Sequence, residues 1–355
     1  MKRKEFMMLG AWVLAGVVAL FTVVFAVWWG GVNQDEGWYL YAARLVGEGK
    51  VPYRDFFFTQ GPILPYMYSV LPIHGLLSGR LATLAFSAFS VLVSIAFARR
   101  LVGRERRGVV SLTVFALLVC NLYHMYFTSI PKTYALGTLF VMLGFLLLSR
   151  GWNFLSAVSF AFASGTRISL VLILGVVGMG LLVSRFRQLH WLWFGLGGLF
   201  GLFLVYGFFA MDPKSLKGLL AAQAYHAGRG GFDPFFAVGA VSRLVRGYLA
   251  MGAVMFTAVA IGKSVGLDGD APADRAESLR LRWMAGLGFT AVFLLQLSAP
   301  FPYDDYQVPL MPILAVLVAV PFANRVSDHG VAMRYWFPVL VSGMCAFGSP
   351  LMQEW

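Results

Sequence analysis

What this sequence lacks above all is charge. Only 12% of its 355 residues are Asp, Glu, Lys or Arg, about half of the roughly 25% usual in a soluble domain. So few charges cannot cover the 59% that are hydrophobic. With a mean hydropathy of +0.75, a water-soluble enzyme is excluded and the solvent must be a bilayer. Cysteine is nearly absent, and Cys120 and Cys345 both sit inside apolar runs, so neither a disulfide framework nor a Cys-based metal site is expected. There is no His-x-x-x-His pair, no acidic triad and no Walker spacing, which argues against a dedicated metal centre and a nucleotide site. Acidic residues are scarcer than basic ones, 16 against 28, for a formal net charge of +12. The basic residues stand at the ends of apolar segments rather than in one long run, so topology explains them and nucleic acid does not.

What is present is a series of apolar runs separated by charged loops. In lipid every backbone amide must be satisfied internally, so these runs are helices. The pattern predicts an all-α polytopic membrane protein with about eleven spans. They fall near 7–29, 81–98, 109–124, 134–149, 153–165, 168–183, 191–210, 237–261, 283–299, 307–322 and 335–352. The first follows a basic start and has no small-residue cleavage site, so it reads as a retained helix with its N-terminus in the cytoplasm. Residues 62–77 carry Pro62, Pro65, Pro72 and His74 and make a poor spanning helix, better placed at the interface or as a re-entrant segment. Leaving that stretch out of the count places the tail and the Arg99–Arg107 cluster on the Lys- and Arg-rich cytoplasmic side, as the positive-inside rule requires. The whole chain, 1–355, is expected to form one transmembrane domain with a first extracytoplasmic loop at about 30–80 and no separate soluble C-terminal domain.

Polar residues concentrate in four outer loops: 30–80, 125–133, 211–236 and 300–306. The first opens with Asn33-Gln34-Asp35-Glu36 and continues with Trp38, Tyr41 and Leu45 at helical spacing, an amphipathic helix lying on the membrane. Asp35 and Glu36 at its N-terminus either cap the helix or do chemistry.

This pattern has a counterpart among known enzymes. Asp35-Glu36-x-x-Tyr39, then Ala42-Ala43-Arg44, Gly49, Pro52-Tyr53-x-Asp55-Phe56, Pro62-x-Leu64 and Gly79-Arg80-Leu81 together resemble the GT-C integral-membrane glycosyltransferases. Within them the likeness is to the protein O-mannosyltransferase and aminoarabinose-transferase group. The resemblance is strongest over residues 30–107 and mostly topological elsewhere. It implies a GT-C-like fold, transfer of a hexosyl or pentosyl group from a polyprenyl-phosphate donor on the extracytoplasmic face of a prokaryotic cytoplasmic membrane, and Asp35 as the catalytic residue. The chain departs from the group at Lys132, where many relatives carry an acidic residue. It departs again at Thr59-Gln60-Gly61-Pro62, which lacks the lysine that aminoarabinose transferases place before their paired prolines.

The chemistry fits that assignment. In a single inverting displacement the acceptor hydroxyl loses a proton as it attacks the anomeric carbon, and one carboxylate serves as base. Asp35 is the candidate base, with Glu36 either a supporting partner or a cap. The leaving phosphate calls for Arg or Lys. Arg167 lies at a break between two short apolar runs, and its alternative is snorkelling from a helix end. Lys132 opens the span from 134. Arg229 sits in the Gly-rich loop with Tyr225 and His226, a loop able to hold an anion or merely solvated. Tyr303, Asp304 and Asp305 are candidates for acceptor or sugar binding, or for sharing Mg²⁺ or Mn²⁺ with Asp35, although no cofactor is required. His74 and His124 are isolated. The expected partners are the lipid-linked sugar donor, membrane lipid and an unspecified protein, lipid or glycan acceptor. Two other classes stay open, a lipid or sugar transporter or flippase, and a non-catalytic subunit with this fold. Against the transporter stands the shortage of ionisable residues at span midpoints and of internal repeats.

Overall fold

The structure is a computed structural model that describes residues 3–185, 188–228, 234–261, 272–299, 303–326, 330 and 332–347. Among these there is no named β-strand; an isolated bridge pairs Pro52 with Phe56. Helix α1 (Arg3–Val24) runs on into a π-helical turn, Phe25–Trp29. The first loop contributes α2 (Gln34–Gly47) and α3 (Ile63–Ser69). At seven residues, α3 is about 10 Å long and cannot cross a bilayer, as its prolines foretell. The bundle continues with α4 (Leu76–Arg100), α5 (Arg107–Val119), α6 (Leu122–Ser129), α7 (Thr133–Leu148), α8 (Asn153–Ser164), α9 (Val171–Arg185) and α10 (His190–Met211). It closes with α11 (Pro213–Ala227), α12 (Pro234–Ala260), α13 (Pro272–Leu297), α14 (Met311–Arg325) and α15 (Phe337–Phe347).

This is a multi-pass membrane protein. Among the described residues five helices are long and apolar enough to cross a membrane, and seven if each of two bent pairs makes one span. Helices α7, α8 and α9 are apolar but shorter. Each of the eleven ranges expected to span holds a helix, but they divide into long crossings and short buried rods. The bend of 67° between α5 and α6 has a local cause. Asn121 leaves the helical path, accepts from the backbone amide of His124 at 3.2 Å and donates through Nδ2 to the Gly247 carbonyl at 3.0 Å.

The short helices pack closely because their contacts are small residues. A Cβ on Gly144 would lie 2.6 Å from the Phe160 ring, and one on Gly197 2.2 Å from the Phe154 carbonyl oxygen. Such contacts let backbones approach, which is how apolar helices associate in lipid. Ser156 and Ser159 on α8 each donate to an α7 carbonyl, of Gly144 and Phe140, at 2.8 Å. Residues 211–236 depart from the loop expected there, since α11 fills most of the segment. Pro213 occupies the first helical position, and the Asp212 carboxylate accepts from the amides of Lys214 and Ser215, which supplies both helix-start signals.

The first loop is held down at two glycines. Gly61 donates its amide to the Thr166 carbonyl at 3.2 Å, and Ile63 donates to that of Gly165 at 2.9 Å. A Cβ on Gly61 would stand 2.2 Å from the Gly165 oxygen, so nothing larger than glycine fits. Further along α11, a Cβ on Gly218 would lie 2.0 Å from the Tyr53 carbonyl oxygen. The first loop is thus clamped between the α8–α9 turn and α11. Gly61→Ala is expected to destabilise the protein by about 1–3 kcal/mol through overpacking, read as a lower unfolding midpoint in detergent. Gly16→Ala, whose added methyl would meet open space, is expected to leave that midpoint in place.

Candidate active site

The site grows out of the N-terminus of α2. Asn33 caps this helix by accepting from the Asp35 amide at 3.1 Å, and Glu36 returns the bond by accepting from the Asn33 amide at 2.9 Å. This is a capping box, and it satisfies two orphan donors of the first turn. Adjacent residues on a helix point about 100° apart, so Asp35 and Glu36 cannot serve the same purpose. Glu36 is fully buried and pairs with Arg80, whose Nε and Nη2 reach its two oxygens at 2.8 and 2.7 Å. The other Arg80 donors reach the carbonyls of Val27, Gly30 and Gly31, so all five guanidinium hydrogens are used. Glu36, expected as a supporting partner of Asp35 or a cap, does cap α2, and it sits in this buried pair outside the cavity lining, where it ties the end of the first span to α2 and α4.

Asp35 faces the other way, into a cavity of about 660 Å³, a size ordinary for a small-molecule site. Its Oδ2 lies 2.9 Å from the Nζ of Lys132. Lys132 stands in extended conformation just before α7 and reaches a second carboxylate, Asp305 Oδ2, at 2.7 Å. Tyr134 donates its hydroxyl to the same Asp305 oxygen at 2.8 Å. Burial opposes charge on Lys132, but Tyr134, Asp305 and Asp35 outweigh it and hold the ammonium above the ordinary lysine value. Burial first, and the Asp35 charge next, push Tyr39 above the ordinary tyrosine value, so its phenol stays neutral at physiological pH.

Arg167 completes the set. It is 8% exposed, and its guanidinium carbon lies 5.1 Å from the centre of the Tyr134 ring and 4.6 Å from that of Tyr306. This is a cation held between two aromatic faces. Its Nε is buried with no hydrogen-bond partner, and no carboxylate among the described residues pairs with it. Burial opposes its charge, and Tyr134, Tyr306, Tyr39 and Asp305 more than restore it. The cavity thus holds two carboxylates and two cations, of which Lys132 is neutralised in place and Arg167 is not.

Of the residues singled out from the sequence, Asp35, Lys132, Arg167, Tyr225, Tyr303 and Asp305 line one cavity, although they come from five separate segments. Arg229 lies outside the described residues, as do the side chains of His226 and Asp304. The lining also includes Trp38, Tyr39, Phe57, Thr59, Gln60, Phe127, Tyr134 and Tyr306, which sequence reasoning did not assign to a site. Tyr134 and Tyr306 each stand within two residues of a named candidate, and that nearness was the available signal. Among the described residues no group of three or more His, Cys, Asp and Glu is placed to hold a metal ion.

Two solved structures resemble this arrangement of helices. ArnT from Cupriavidus metallidurans bound to undecaprenyl phosphate aligns with a TM-score of 0.58 and 19% identity over 88% of this chain and 60% of that one. The apo state of the same protein gives 0.59 and 19% over 88% and 59%. Over that alignment this chain shares the fold of ArnT. It spans about three fifths of that protein's length. No protein-family model matches the sequence, and no curated protein sequence matches it.

The division of labour at the start of α2 is testable by stability alone. Glu36→Ala strands a buried guanidinium and is expected to cost about 3–5 kcal/mol. Asp35→Ala, at a half-exposed carboxylate, leaves the Lys132 ammonium paired with Asp305 and is expected to cost less, about 1–2 kcal/mol. Unfolding midpoints of the two purified variants check this; equal losses would mean that Asp35 too is structural.

Proposed function

We propose that this protein is a GT-C glycosyltransferase that moves a sugar from a polyprenyl-phosphate donor to an acceptor hydroxyl, with inversion, using Asp35 as general base. The single observation that supports this most is the grouping of Asp35, Lys132, Asp305 and Arg167 around one cavity. ArnT, of like fold, has been seen with undecaprenyl phosphate bound, which is the donor's carrier chemistry.

In this reading the acceptor hydroxyl sits beside Asp35 and attacks the anomeric carbon. The proton passes to the Asp35 carboxylate, the new glycosidic bond forms, and the bond from the anomeric carbon to the phosphate oxygen breaks with its electron pair going to phosphate. Arg167 meets the negative charge that develops on the departing phosphate, because it is the cavity's one cation without a carboxylate partner among the described residues. A preorganised cation in a partly dry site is worth far more than one in water. Lys132 orients Asp35 against Asp305 rather than serving the phosphate first. Trp38, Tyr39, Phe57 and Tyr225 supply aromatic faces for a sugar ring.

The cavity opens on the extracytoplasmic side of a prokaryotic cytoplasmic membrane with the N-terminus inside, as the distribution of basic residues favours. An ammonium within 2.9 and 2.7 Å of the two carboxylates stands where a shared divalent cation would bind. Transfer therefore runs without Mg²⁺ or Mn²⁺, and its rate is expected to be unchanged by EDTA.

Asp35→Asn is expected to lower turnover by a factor of about 10² to 10⁴, the usual contribution of a general base, with insertion and yield unaltered. The assay follows label from a radiolabelled polyprenyl-phosphate sugar into acceptor in washed membranes. Turnover within a few-fold of the parent protein would remove Asp35 from the mechanism.

A further inference from the structure

A second cavity, of about 330 Å³, lies where α4 ends, α5 begins and α13 starts, and Arg100, Arg104, Arg107 and Arg275 line it together with Ser149 and Ser278. It belongs to the end of the bundle opposite the catalytic cavity. Both α4 and α7 begin near Asp35 and Lys132 and finish here, and the 16 residues of α7 make a rod about 24 Å long. Cross-ties fix its walls: Arg100 donates through Nε to the Ser149 carbonyl at 3.2 Å, and Ser278 donates to that of Leu101 at 3.0 Å.

Four guanidinium groups around one small polar cavity repel one another unless an anion joins them. Among the described residues none of the four has an ion-pair partner, and the one carboxylate in the lining, Glu277, is paired with Arg280. A separate observation points the same way. The Nε atoms of Arg107 and Arg275 are buried and make no hydrogen bond, which costs free energy unless a ligand supplies an acceptor. Phosphate geometry suits such a cluster, since each guanidinium offers parallel donors to two of its oxygens.

The surroundings say how the phosphate arrives. From Arg275 along α13, Leu279, Trp283 and Leu287 follow at intervals of one helical turn and are 51%, 63% and 53% exposed. They make an apolar stripe that leads from the cavity along the outside of the bundle, where acyl chains lie. Basic pockets between transmembrane helices are a known setting for anionic headgroups.

We propose that this cavity binds the phosphate of an anionic phospholipid, with Arg104, Arg107 and Arg275 as its principal contacts and the 279–283–287 stripe against its acyl chain. The site is distinct from the one that takes the polyprenyl phosphate, and does not depend on the catalytic reading.

Native mass spectrometry of the full chain in detergent, titrated with phosphatidylglycerol and with phosphatidylcholine of the same acyl chains, tests it. The parent protein is expected to bind phosphatidylglycerol at least about tenfold tighter. Arg104→Gln combined with Arg107→Gln, and separately Arg275→Gln, are expected to remove that preference while phosphatidylcholine binding stays as it was. Arg150→Gln, an arginine that stacks on Trp152 outside the cavity, is expected to keep it. Helix content by circular dichroism is measured on each variant, and the two lesions sit on different helices, so misfolding of one leaves the other to decide. Equal preference in parent and both lesions overturns the site. Displacement of phosphatidylglycerol by millimolar inorganic pyrophosphate, together with arginine-dependent pyrophosphate binding in lipid-free detergent, overturns the lipid assignment in favour of a soluble phosphate.

Discussion

One buried ammonium organises the end of this molecule that carries the cavity lined by Asp35. Lys132 is 4% exposed, and a lone charge so placed would be prohibitively costly. It is tolerated because two carboxylates, from positions 35 and 305, converge on it at hydrogen-bonding distance. That requirement acts as a geometric constraint. The first loop, the α6–α7 connection and the turn before α14 must meet at one point, and the cavity is the space they enclose. Removing the ammonium would leave two carboxylates close together, so the interaction that holds the loops is also the one that fixes Asp35.

A second buried pair does the structural work nearby. Arg80 spends every donor it has on Glu36 and on the carbonyls at the end of the first span. Those carbonyls lie in the π-helical turn, at Val27, and just after it, at Gly30 and Gly31, where helix-end carbonyls lack partners within the helix. The pair therefore closes a helix end, starts α2 and positions Asp35 in one stroke. Two neighbouring carboxylates then have opposite fates: one is neutralised to hold the backbone, the other is kept half-exposed to face the cavity.

Much of this was legible in the sequence, and the limit was one of range. The spans, the short proline-rich α3 and the acidic N-terminus of α2 depend on periodicity, caps and length, which act over a few residues. The pairing of Asp35 with Lys132, of Lys132 with Asp305 and of Glu36 with Arg80 depends on contacts across 44 to 173 positions, which no local pattern encodes. Sequence reading accordingly gathered Asp35, Lys132, Arg167 and Asp305 as separate candidates without pairing them and left Glu36 undecided. Arg167 between Tyr134 and Tyr306 was hidden for the same reason, since its two rings come from different helices. The α11 segment was legible in principle. Its Asp212-Pro213 start is a local signal, masked by the glycines that follow at 228, 230 and 231.

The two ends of the bundle treat positive charge in opposite ways, and the difference separates topology from chemistry. At the end with the larger of these two cavities, Lys132 is housed by carboxylates and Arg167 by aromatic faces. Such housing lets a buried charge hold its position in a partly dry cavity. At the other end Arg100, Arg104, Arg107 and Arg275 gather with no ion-pair partner among the described residues. Orientation alone would require only that positive charge be somewhere on that side; it would not require buried Nε atoms or a shared cavity. Among the described residues no carboxylate pairs with that cluster, and for a protein in a bilayer a near supply of fixed anions is the headgroup layer itself.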